Sequence, residues 1–82
     1  MTPAFRELDT VVLVRDLPDA GLRAGDLGAV VHVYAPDAVE VEFATASGRA
    51  QALLTLDVRD VRAVADDDLL AVRPSAPKRG AA

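Results

Sequence analysis

The sequence predicts an all-β domain, a small barrel of about five antiparallel strands over residues 1–73, with a flexible tail over residues 74–82. Three observations predict it. Valine-rich runs recur at short intervals, and β-branched side chains, stiff at χ1, suit a pleated strand. Each run is bounded by Gly, Pro, Asp or Ser, the residues that build turns. One run, "AVEVEFA" at 38–44, alternates strictly, with Val39, Val41 and Phe43 on one side and Glu40 and Glu42 on the other. Period two puts one face in a core and the other in water.

The first strand is expected in "DTVVLVRD", 9–16. Its apolar residues are consecutive rather than alternating, as in a strand buried on both faces. A long connection, "LPDAGLRAGD", follows. Pro18 and Asp19 start a turn, and Gly21 and Gly25 accept positive φ without steric cost. Leu17 and Leu22 are the expected anchors that fold this loop onto the core, and Leu27 is expected to re-enter it. The second strand is "LGAVVHVY", 27–34, where period two would place His32 on the face of Val30 and Tyr34. Pro36 and Asp37 turn the chain into the alternating third strand.

Ser47 and Gly48 make the next hairpin turn, and "RAQALLTL", 49–56, is the fourth strand. A single helical turn near 56–58 and a short fifth strand at 59–64 follow. Asp66 to Asp68 then break the apolar pattern. "LLAVR", 69–73, reads either as a helical turn capped by Asp66 or Asp67 or as an added edge strand. Pro74 and Pro77 end regular structure.

Size and composition bound the function. A domain of 82 residues buries only about 60% of the surface its unfolded chain exposes, which leaves little material for a deep cleft. Without cysteine there are no disulfides or thiolate metal sites, which fits a reducing, cytoplasmic compartment. No apolar run approaches the roughly 20 residues of a membrane helix, and no signal peptide is expected at the N-terminus. The formal charge is −4, and setting aside Lys78 and Arg79 leaves seven basic residues against thirteen acidic ones. Nucleic-acid binders draw affinity from neutralised phosphates, so an acidic body argues against that use and favours basic partners.

The glycines of "AGLRAGDLGAVVHVY" invite comparison with a phosphate loop. Such a loop needs a Lys and a Ser or Thr after its last glycine and then a helix, and here a strand follows. The dinucleotide fingerprint fails on spacing. The stretch is a turn, and Gly28, which lacks a Cβ, lets a neighbouring element approach closely.

Taken together, "ELDTVVLVRDLPDAGLRAGDLGAVVHVY", "VEVEF" and "LTLDVRDVRAV" resemble a family of short bacterial proteins of unknown function with an SH3-like fold, the domain-of-unknown-function family four-nine-two-six. The likeness runs from about Phe5 to Arg73. It rests on "RDLP", G-x-x-x-G-D-x-G, the Glu-bearing hairpin and the D-V-R-x-V close. Gly28 and the valines after it are also similar, more distantly, to small barrels of the KOW type. The resemblance implies a fold and no catalytic residues. It also implies a stand-alone adaptor, in one form an antitoxin- or inhibitor-like partner of a neighbouring gene product.

No cofactor, metal or catalytic residue is expected. His32 is the sole histidine and reads as a half-exposed strand residue, since a metal site needs several converging ligands. Glu40 and Glu42 share a solvated face, which lacks the pocket that acid–base chemistry requires. The hydroxyl residues fall in turns or at strand ends and in no nucleophile motif. The expectation is a non-catalytic protein-interaction module. Its partner surface draws on Glu40, Glu42, Leu69, Leu70 and Val72, and its partner is another protein or a second copy. Leu69, Leu70 and Val72 could instead pack on their own barrel. The alternative is an RNA- or ribosome-associated small barrel, for which the chain lacks interleaved basic and aromatic residues.

Overall fold

The computed structural model describes residues 4–75. Most of the tail expected over 74–82 lies outside the described residues, while Pro74 and Ser75 have no regular structure. Five antiparallel strands are present: β1 (Thr10–Leu13), β2 (Leu27–Tyr34), β3 (Ala38–Ala44), β4 (Ala50–Asp57) and β5 (Val61–Ala63). They form one sheet in the order β4-β3-β2-β1-β5. The first four make a meander, and β5 returns to the free side of β1.

Alternation sets the sheet's two faces. Val39, Val41 and Phe43 of β3 are buried, and Val41 pairs with Val30 of β2. Val11 and Leu13 of β1 complete the centre of the core. Val12 is buried as well, between Leu27 and Arg62 in register, so the consecutive valines of β1 are covered on both faces. β1 stops earlier than expected. At Val14 the chain leaves the ladder, and that residue's N–H donates to Asp60 O at 2.9 Å.

The long β1–β2 connection is part of the core rather than a loose loop. Leu17 and Leu22 pair through their backbones, Leu22 is buried, and Leu17 and Ala20 pack on the core cluster. A 3-10 turn at Pro18–Ala20 ends at Gly21, with φ +72°, and Gly25 has φ +98°. Gln51 of β4 donates from Nε2 to Ala20 O at 3.3 Å, which ties the connection across the sheet to its far edge. Leu27 does not re-enter the core. It lies opposite Val12 on the outer face and stays partly exposed.

His32 does not share a face with Val30. The register of β2 against β3 shifts between Val30 and His32, with Val31 as the extra residue. This bulge resets the alternation: Val30 is buried, Val33 packs on the core, and His32 and Tyr34 point outward. The period-two reading failed because a bulge depends on tertiary pairing and leaves no mark in a run of valines.

The helical turn comes later than expected, at Val58–Asp60, because the β3–β4 ladder continues to Asp57 opposite Ala38. Asp57 caps the turn by accepting the Arg59 N–H at 2.8 Å. β5 is accordingly trimmed to three residues.

Candidate functional site

The segment after β5 is the least expected part of the structure. Leu69–Arg73 is neither helical turn nor edge strand; it has no regular structure. Its large side chains do not pack on their own sheet. Leu69, Leu70 and Val72 are 94%, 70% and 99% exposed. Two ion pairs fix the segment at its ends. Arg62 of β5 grips Asp68 through both carboxylate oxygens, at 2.8 and 2.9 Å, and Asp68 also accepts the Ala65 N–H at 2.7 Å. Asp68, rather than Asp66 or Asp67, therefore organises the acidic turn. At the other end Arg73 forms a two-pronged pair with Asp26, its Nε 2.9 Å from Oδ1, and donates to Gly21 O at 3.3 Å. Both side chains of that pair are largely shielded from solvent.

These anchors draw the segment over an open groove of about 490 Å³. Leu22 to Leu27 of the β1–β2 connection form one wall, the β3–β4 hairpin from Phe43 to Gln51 forms another, and Ala71 to Ser75 form the third. Asp26 was legible only as a turn residue, because its partner lies 47 residues away. The available signal was Arg73 itself, a lone cation between apolar residues and a proline.

Glu40 and Glu42 sit where expected, on the outer face of β3. Glu40 lies between His32 of β2 and Thr55 of β4, and Glu42 between Ala29 and Leu53. Neither makes an ion pair among the described residues. The expected partner surface is thus divided: the carboxylates are at the centre of the sheet, and the apolar residues are on the segment after β5. His32 is half exposed, packed edge-on against Tyr34 with centroids 4.5 Å apart, its Nδ1 3.7 Å from Glu7 Oε1. No group of three or more His, Cys, Asp or Glu among the described residues is placed to hold a metal. No helix among them is long and apolar enough to cross a membrane.

Carboxylates occupy most of the arginines. Arg15 pairs with Asp60, Arg59 with Asp57, Arg62 with Asp68 and Arg73 with Asp26. That leaves Arg6, Arg23 and Arg49 outside ion pairs among the described residues. Hydrogen bonds from Arg62, and then from the Ala65 N–H, lower the Asp68 carboxyl from 3.8 to about 2. Arg59 lowers Asp57 in the same way, first through its side chain and then through its N–H. A carboxyl lowered in the folded state stabilises the fold above its unfolded value and loses that contribution as pH falls. Thermal melts should therefore show stability declining as pH drops from about 4 toward 2. Asp68→Asn should flatten that decline. An unchanged acid profile in the variant would refute the role given to Asp68.

The model of a domain of unknown function (DUF4926) matches residues 7–63, well over half of the chain, and the chain belongs to that family. No curated protein matches. No solved structure matches either. The matched span closes at the end of β5, so the exposed segment and its Arg73 anchor lie outside it, while Asp26 lies within.

Proposed function

We propose that this member of the DUF4926 family is a non-catalytic protein-interaction module whose segment Leu69–Val72 docks on a partner protein. One observation carries the reading. Three large aliphatic side chains stand largely in water, Leu69 and Val72 almost wholly, on a segment held at both ends, by Asp68 and by Arg73. Burying each would be worth roughly 1.5–3 kcal/mol, and the domain's own core leaves them out. An anchored segment also loses less conformational freedom on docking than a free tail would.

The charge pattern supports a protein partner. With most arginines paired and Glu40 and Glu42 unpaired, the outer face is acidic, which suits a partner that brings basic residues beside an apolar pocket. The meander, the long first connection and the 3-10 turn before β5 fit an SH3-like barrel, a scaffold that commonly presents binding surfaces. An antitoxin- or inhibitor-like role toward a neighbouring gene product is one form of this activity, and a cysteine-free chain suits the cytoplasm.

The test is affinity capture of the tagged full chain from its own cells, with and without nuclease, followed by mass spectrometry. The expected result is one dominant protein that survives nuclease and is lost with the triple variant L69S/L70S/V72S. Those side chains are 70–99% exposed and outside the core cluster, so the variant should melt like the native chain. Capture that disappears on nuclease treatment would replace this reading with RNA or ribosome association.

A further inference from the structure

The sheet has two edges, and they are built differently. β5 is three residues long and carries Arg62, with Arg59 and Asp60 just before it. Short length and charge are the usual means of keeping an edge from pairing with another strand. β4 has neither protection. It is eight residues long, among the described residues it pairs with β3 alone, and "AQALLTL" from Ala50 to Leu56 carries no charge and no proline. Its one irregularity is a register shift at its start, where Gln51 is the extra residue between Ala50 and Ala52. From Ala52 to Asp57 the ladder is regular.

We propose that β4 pairs antiparallel with β4 of a second copy of this chain, across a two-fold axis perpendicular to the sheet and centred on Leu54. Such an axis keeps the two faces of the joined sheet continuous, so each residue must meet one of the same inward or outward sense. Centring on Leu54 satisfies this and uses only the regular ladder. Leu54 meets Leu54, Leu53 meets Thr55, and Ala52 meets Leu56 of the second copy. Centring on Leu53 would draw the irregular Gln51 region further into the joint.

Two further observations favour a second copy. An open groove of about 360 Å³ runs beside this edge, lined by Leu17, Pro18, Ala20, Leu54 and Leu56 together with the charged Arg15, Asp16 and Asp19. The second copy's Leu54 and Leu56 would project toward it, as side chains do in strand addition. Leu53, 54% exposed beside Glu42, gains cover in the same step.

Sedimentation velocity over a concentration series should show native chain passing from monomer to dimer. L53K should weaken that association by more than about tenfold, because a lysine on the edge opposes pairing. L69S/L70S/V72S should leave it unchanged. The chain has no cysteine, so the register can be read directly. Facing Cα atoms in an antiparallel pair lie within disulfide range. An equal mixture of L53C and T55C chains, oxidised in air, should give mainly the mixed disulfide, with the two like pairs as minor products. A native chain that stays monomeric at every concentration overturns the proposal, and so does an L53C and T55C mixture that yields no excess of mixed disulfide. So does a dimer that L69S/L70S/V72S abolishes and L53K spares, which would make the C-terminal segment the occupant. Capture of a different protein through Leu69–Val72 is independent of either outcome.

Discussion

Gly28→Ala lowers the stability of the domain by about 1–3 kcal/mol, and Gly28→Val costs more. Gly28 lies on β2 opposite Val11, where the strand passes under the β3 side chains. A Cβ there would sit 2.5 Å from Val41 Cγ1 and 3.0 Å from Phe43 Cε1. Val41 and Phe43 are among the most deeply buried side chains of the core, and Val41 is stiff at χ1. Neither can swing aside into solvent, so the strand or the core must shift. Urea unfolding of the variants gives the value. The double variant Gly28→Ala with Val41→Ala should cost less than the sum of the two single changes, because the second removes the atom that the first would strike. Gly25→Ala is a useful contrast. A Cβ at Gly25 meets nothing within 4 Å, so its cost comes from φ +98° alone. A Gly28→Ala variant within about 0.5 kcal/mol of the native chain would show that Val41 and Phe43 do not set the approach of β2 to β3.

Ending the chain at Val64 should leave the sheet folded and abolish capture of the partner. Among the described residues, the removed segment contributes none to the core cluster. Its ties to the body are the Arg73–Asp26 pair with the Gly21 carbonyl and the more exposed Arg62–Asp68 pair, and losing a largely shielded, charge-assisted contact such as the first costs about 1–2 kcal/mol. Losing a buried leucine would cost about 2–5 kcal/mol. Urea unfolding of the shortened chain separates these cases, and affinity capture reads the function. Arg73→Ala in the full chain should cost the same 1–2 kcal/mol and weaken capture without abolishing it, since Leu69–Val72 remain but lose one anchor. A drop in the shortened chain as large as that for a buried leucine would return Leu69, Leu70 and Val72 to the core and remove the basis for docking.

Strand existence was legible wherever side-chain period and turn chemistry agreed. "AVEVEFA" announced β3 to the residue, because alternation forces one face inward. "LGAVVHVY" announced β2, yet its bulge at Val31 was invisible, and His32 was placed on the wrong face. Leu27 misled for a related reason. Its hydrophobicity is real, but its register opposite Val12 faces it outward. Of the candidate surface, Glu40 and Glu42 followed from alternation alone. The state of Leu69, Leu70 and Val72 did not, since an apolar run after an acidic break fits a strand, a helical turn or a bare segment equally well.

The sequence by itself determined five strands, the turns between them, the close approach at Gly28 and an acidic body. Each follows from neighbouring residues: β-branching, period two, glycine's missing Cβ and the count of charges. Only the tertiary structure decided which edge of the sheet stays open, where β2 bulges, and that Arg73 reaches back to Asp26 to hold an apolar segment in water. Those outcomes depend on which distant residues meet. Pairing across 47 positions is set by the free energy of the whole packed sheet, and no local window of the chain contains it.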